Sequence, residues 1–158
     1  MADLQAIGSA LIQGNRSLVM ELCRKALEEG IGPETILSDG LIVGMNVIGK
    51  RFKANEVYVP EVLIAARAMK GGMEVLQPCL EAAGVQPRGT VVIGTVKGDL
   101  HDIGKNLVAM MLVGGGFRVV DIGTDVPAEK FLEACCNECA QVCGMSALLT
   151  TTMPQMKQ

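Results

Sequence analysis

Thr90-Val91-Val92-Ile93-Gly94-Thr95-Val96, followed at once by Lys97-Gly98-Asp99-Leu100-His101-Asp102-Ile103-Gly104-Lys105-Asn106, is the stretch that decides the fold. Its first seven residues are apolar and rich in β-branched side chains, as in a strand buried on both faces. Residues 97–103 are polar, and residues 104–113 read as a helix that Gly114-Gly115-Gly116 stops. Phe117-Arg118-Val119-Val120-Asp121-Ile122 reads as a second strand, residues 127–136 as a helix and residues 141–146 as a third strand. Strands alternating with helices predict an open parallel sheet of the Rossmann-like or flavodoxin-like kind, with helices on its faces.

Upstream of this stretch the hydrophobic period is helical. Leu18, Leu22 and Leu27, with Val19, Cys23 and Ala26, fall at the spacings of an amphipathic helix; Asn15 suits its cap and Gly30 stands past its end. Gly32-Pro33-Glu34 restarts a helix, since proline fits a first turn, and it runs through Ile36, Leu37, Leu41, Val43, Val47 and Ile48 towards Phe52. Tyr58-Val59-Pro60-Glu61 opens another, continuing through Leu63, Ile64, Ala68, Met69, Met73 and Leu76. The reading is a four-helix bundle, with Met45, Met69 and Met73 in its core, joined by the linker-like residues 84–89 to the sheet. The predicted domains are a helical one at 1–88 and an α/β one at 89–158. The latter holds three strands and two helices, half of a doubly wound domain, and is expected to be truncated, with Val142, Met145 and Leu148 on an uncovered edge.

Composition narrows the function. The chain has 158 residues, which suits one ordinary domain or two small ones, and its net charge is −3. With one Tyr, three Phe and no Trp, neither a nucleic-acid surface nor a polybasic membrane patch is expected. No apolar run approaches the roughly 20 residues of a membrane span, and no signal peptide stands at the start. The six cysteines are expected as reduced thiols of a cytoplasmic protein. Histidine occurs once, so a multi-histidine metal site is excluded by count.

That histidine, His101, sits where a site belongs. Ligands of open parallel sheets bind beyond the carboxyl ends of the strands. A metal-binding imidazole usually gives its second ring proton to an acceptor, for which Asp99 is the natural choice, and Gly104 lets a bulky ligand approach the helix start.

Gly-Asp-x-His-Asp-Ile-Gly-Lys-Asn at 98–106 resembles the cobalamin-binding signature of methionine synthase and its relatives. Ser146-Ala147-Leu148 resembles the family's Ser-x-Leu element, with Thr150 at the position of a second polar contact. Tyr58-Val59-Pro60-Glu61 and Ala65-Ala66-Arg67-Ala68-Met69-Lys70 resemble its helical cap. The likeness extends over nearly the whole chain and is nearest to the small corrinoid proteins that serve methylamine, betaine and methoxy-aromatic methyltransferases. It implies a cobalamin cofactor (a cobalt corrinoid) whose own base is displaced, with His101 as the metal ligand and Asp99 bonded to it. Gly98, Leu100, Asp102, Ile103, Gly104, Ser146, Leu148 and Thr150 complete the cofactor-binding set, and the helical half covers the corrin. It assigns no catalytic residue. It implies a carrier subunit, not a complete enzyme, that shuttles a methyl group from a substrate-specific methyltransferase to an acceptor methyltransferase using tetrahydrofolate or a thiol, with a reductive activator as a further partner. The family's downstream Gly-Gly element, after a fourth strand, lies beyond the residues read here.

Other readings compete. A cobalamin sensor shares the halves but adds a DNA-binding segment, and no helix-turn-helix with a basic face is seen. A truncated remnant that no longer binds cobalamin is the third. Cobalamin-dependent mutases need a large barrel that is not in the sequence. Cys135, Cys136, Cys139 and Cys143 have spacings that invite zinc, but the first three fall on a predicted helix and the last on a strand, so buried reduced thiols are expected. Gly114-Gly115-Gly116 follows a helix and precedes a strand, the wrong order for a phosphate loop.

Overall fold

The computed structural model describes residues 3–157. They divide into two compact units, one running to Gln86 and including residues 114–116, the other comprising the remainder from Pro87.

The first unit is helical. Helix α1 spans Leu4–Ile12 and α2 spans Arg16–Glu28. Asn15 caps α2 by accepting from the Leu18 amide at 3.1 Å, and Gly30 follows its end at φ 83°. Of the two candidate stripes on α2, the buried one is Val19, Cys23 and Ala26; Leu18, Leu22 and Leu27 are half-buried beside it. The next helix starts at Pro33 as expected, but it is not uniform. A short α3, Pro33–Thr35, passes into a π-helical segment, Ile36–Ile42, and then into α4, Val43–Lys53. The reason lies in the pattern. Ile36 and Leu41 are five apart and both fully buried, and a π turn, whose bonds run five residues back, brings such a pair to one side. Beyond it Met45 and Ile48 resume helical spacing on the buried face, while Val43 is half exposed. Helix α5, Val59–Ala82, opens where Glu61 accepts from the Tyr58 amide at 3.0 Å, with Pro60 in the first turn. It lies along α2, and α1 packs against α2, α4 and the π segment.

The second unit is built on three strands: β1 (Thr90–Thr95), β2 (Arg118–Asp121) and β3 (Val142–Ser146), in the order β2-β1-β3, both pairings parallel. Helix α6 (Ile103–Gly114) connects β1 to β2, and α7 (Ala128–Asn137) connects β2 to β3. The expected α/β class and parallel sheet are observed. β1 is central, which is why its run carries no polar alternation. At Gly94 the ring of Phe131 on α7 and the Ile122 side chain come so close that a Cβ would lie 2.7–3.0 Å from them, so this position needs glycine. A short helical turn, Met153–Lys157, follows β3.

The expectation of buried cysteines in this unit does not hold. Cys136, Cys139 and Cys143 are exposed and Cys135 is half-buried. Helix α7 ends at Asn137, before Cys139, which lies in the left-handed region at φ 48°. β3 is an edge strand, and of the α7 residues only Phe131 is buried, so three of these four residues are left exposed. Partial burial and the neighbouring Cys135 thiol push the Cys143 thiol up to about 11. Val142, Met145 and Leu148 are 52%, 43% and 63% exposed.

Candidate functional site

The strand order makes the site. From β1 the chain goes outward to β2, then crosses to the other side of β1 for β3. The loops after β1 and β3 therefore meet at one sheet edge, the kind of crevice where open sheets bind ligands. Thr95 pairs with Ser146 in register, and the Ser146 carbonyl accepts from the Val96 amide at 3.0 Å, so His101 and Ser146 belong to the same edge, as expected.

The loop after β1 turns at Gly98, whose φ of 80° is open to glycine. Its amide donates to Asp125 Oδ1 at 2.7 Å, and the Asp99 carbonyl accepts from the Asp125 amide at 3.0 Å, so the 122–127 loop braces this turn. Asp99 is fully buried. Its Oδ1 accepts from the His101 amide at 3.0 Å and lies 2.6 Å from His101 Nδ1. Its Oδ2 accepts from the Leu148 amide at 2.9 Å and, at the longer 3.4 Å, from the Leu149 amide. Thr152 Oγ1 stands 2.7 Å from the same oxygen and 2.9 Å from the Leu149 carbonyl; its one proton goes to the charged acceptor.

These donors hold the Asp99 carboxyl well below the usual carboxylate range. The Thr152 hydroxyl contributes most and the His101 amide next; burial opposes them, and the imidazole and the Leu148 amide add to the lowering. An ionised carboxylate can only accept, so Nδ1 carries the proton it shares with Asp99, and in the neutral ring this tautomer puts the lone pair on Nε2. The imidazole is about half exposed. Around it Leu100 and Ile103 are 73% and 80% exposed, and a Cβ added at Gly104 would meet nothing within 4 Å. The loop thus presents one half-exposed imidazole amid outward-facing apolar side chains.

Asp102 closes the loop onto α6. Its carbonyl accepts from the Asn106 amide at 2.8 Å and its carboxylate from Asn106 Nδ2 at 3.0 Å. Lys105, almost fully buried, donates to Asn106 Oδ1 at 2.8 Å and forms an ion pair with Asp121 on β2.

The structure therefore brings Gly98, Asp99, His101 and the Leu148 amide together at one edge. Ser146 is half-buried there, and Thr150 is exposed. The hydroxyl that reaches Asp99 belongs to Thr152, two residues beyond the one the sequence singled out. A turn in which the Thr152 amide donates to the Leu149 carbonyl folds it back. Three adjacent threonines carry no local signal for which one points inward. Among the described residues no group of three or more His, Cys, Asp or Glu is arranged to hold a metal, and no helix is long and apolar enough to cross a membrane.

The chain is similar to known proteins in both sequence and fold. Two family models, each described as a B12 binding domain, match residues 4–77 and 89–158. A corrinoid protein of Desulfitobacterium hafniense (strain Y51) is 38% identical over all of this chain and 74% of its own length. Trimethylamine corrinoid protein 1 of Methanosarcina acetivorans is 42% identical over 91% of this chain and 68% of its own. In the crystal structure of the methanol:cobalamin methyltransferase complex from Methanosarcina barkeri, one chain is 37% identical and superimposes with a TM-score of 0.88. The match covers 98% of this chain and 59% of that one.

Proposed function

Because the chain belongs to the B12-binding corrinoid proteins, we propose that it carries cobalamin on the loop after β1 and passes a methyl group between methyltransferases. The observation that carries this reading is the Asp99–His101 pair, in which Asp99 takes Nδ1 and leaves Nε2 as the ring's other nitrogen at an open, apolar-rimmed edge. A single imidazole is a poor donor set for a bare ion. It suits a metal that a macrocycle would also hold, and a Cβ at Gly104 would meet nothing within 4 Å, so the start of α6 is open for a large group to approach.

When bound, the cobalt supplies the nucleophile that takes up and then releases the methyl group. The protein's part is to hold and tune. His101 would hold the cobalt through Nε2. Asp99, itself fixed by Thr152 and the Leu148 amide, keeps the proton on Nδ1 and sets the ring's tautomer. Leu100, Ile103 and Gly104 form the surface beside the ligand; Gly98 shapes the turn and Asp102 ties it to α6. Ser146, Leu148 and Thr150 line the adjoining loop, where the cofactor's displaced base and tail would lie. A methyltransferase is the partner; the donor-specific enzyme, an acceptor enzyme using tetrahydrofolate or a thiol, and a reductive activator are the assignments proposed here.

The test is reconstitution with hydroxocobalamin, followed by gel filtration and visible spectroscopy of wild type and His101→Ala. Wild type should keep the corrinoid through the column. The variant should lose it, or keep it with a spectrum lacking the axial imidazole. Equal retention and identical spectra would sink His101 as the ligand.

A further inference from the structure

Thr95 closes β1, four residues before Asp99, and is fully buried. Its backbone needs are met elsewhere: the amide donates to the Gly123 carbonyl at 2.9 Å, and the carbonyl accepts from the Val126 amide at 3.0 Å. Its hydroxyl is therefore free for another task, and it donates to the His101 carbonyl at 3.0 Å. The His101 amide is at the same time held by Asp99 Oδ1 at 3.0 Å. Both backbone polar groups of the imidazole-bearing residue are thus fixed, one by the loop's own carboxylate and the other by the end of the central strand.

We propose that Thr95 is a positioning residue for the axial imidazole: its hydroxyl anchors the His101 backbone to β1 and so fixes where Nε2 stands. The proposal rests on the cobalamin reading for its consequence, but not for its geometry. Asp99 holds the ring at Nδ1 and the His101 amide, but it leaves the carbonyl side of that residue to another donor. Thr95 ties the loop to β1, the most deeply buried strand of this unit, and it does so from outside the recognised signature. Removing the hydroxyl while keeping the side chain's shape leaves the His101 carbonyl without its protein donor. A site that must hold its ligand to a fraction of an ångström is sensitive to such a loss.

The experiment compares the full chain as wild type, Thr95→Val and Thr95→Ser. The first readout needs no cofactor: hydrogen exchange at the His101 amide, with the Val92 amide of β1 as internal control. Thr95→Val should speed exchange at His101 about tenfold and leave Val92 unchanged. Thr95→Ser, which keeps the hydroxyl, should restore the protection. The second readout is electron paramagnetic resonance of each protein loaded with cobalamin and reduced to cobalt(II), where nitrogen splitting from an axial imidazole marks His101 coordination. The coordinated fraction should fall in Thr95→Val and recover in Thr95→Ser. If valine unfolds the unit, Thr95→Ala set against Thr95→Ser makes the same contrast. Valine matching wild type at the His101 amide, or serine failing to rescue it, overturns the proposal. A wild type without imidazole splitting defeats the cobalamin reading, and the amide measurement still decides Thr95.

Discussion

The two units are held together by different means. In the helical unit the buried set is apolar: Ile7, Leu11, Val19, Ile36, Leu41, Val62 and Leu76 are all 0% exposed. In the sheet unit a thinner apolar set, with Val91, Val92, Ile93, Val96, Val126 and Phe131, is joined by Thr95, Asp99, Lys105 and Thr152. Those four are all the buried polar or charged residues among the described ones; Thr95, Asp99 and Thr152 bond within the His101 loop or to it, and Lys105 pairs with Asp121 on β2. No buried side-chain nitrogen or oxygen among the described residues lacks a partner. Hydrophobic burial is non-directional and builds a compact body. Hydrogen bonds are directional, and in the sheet unit they gather around the His101 backbone and ring.

The largest effect that sharpens this contrast is expected in the helical unit. Leu41 is fully buried at the π segment. Leu41→Ala should cost about 2–5 kcal/mol, the range for a large-to-small change in a packed core. Urea unfolding followed by circular dichroism measures it. The His101 loop should keep its hydrogen-exchange pattern, since its support is polar and sits in the other unit. A loss under about 1 kcal/mol would mean that the helical core is loosely packed and the contrast overstated.

What is legible in the sequence follows the same division. β1 reads clearly because Val91, Val92 and Ile93 have no polar alternation to satisfy, and the Asp99–His101 pairing reads because the two residues are near neighbours. The cap at Asn15 and the start at Tyr58 read because capping is local chemistry. Thr152 does not, because its partner Asp99 is 53 residues away and only the β3 turn brings them together. Thr95 is hidden for a different reason: within a β-branched run a threonine is an ordinary strand residue until its hydroxyl has a target. The π segment escapes because a five-residue spacing looks like a gap in a helical stripe. The exposed thiols escape because helix and strand periods do not say which strand is at the edge.

A smaller effect concerns acid. The folded-state pKa of Asp99 is depressed, so its contribution to stability is fully present above the unfolded value, about 3.9, and is lost as pH falls through the folded value. The Leu148 amide donates to Asp99 and reports on it. Its nuclear magnetic resonance shift should stay constant from neutral pH down to about 4, then move at lower pH as the loop lets go. The apolar core of the helical unit should outlast it. A midpoint at or above the ordinary aspartate value would show that the Thr152, His101 and Leu148 donors do not act on this carboxylate together.

The smallest effect is expected at the sheet's edge, and there it decides what the edge is. Val142 opens β3, pairs with Val91 on one side and is 52% exposed. A fully buried valine would contribute roughly 1.5–3 kcal/mol, whereas an exposed one away from special features can be changed within about ±0.5 kcal/mol. Val142→Lys should therefore leave the urea midpoint nearly where it was, with the same slope. Lysine on an edge strand also discourages strand-to-strand pairing between molecules. Sedimentation of the variant should accordingly show no more self-association than wild type, and less if wild type associates through β3. A loss of about 1.5 kcal/mol or more would mean that Val142 is covered in solution, so that β3 does not act as a free edge and the sheet unit has a larger apolar core than its buried residues suggest.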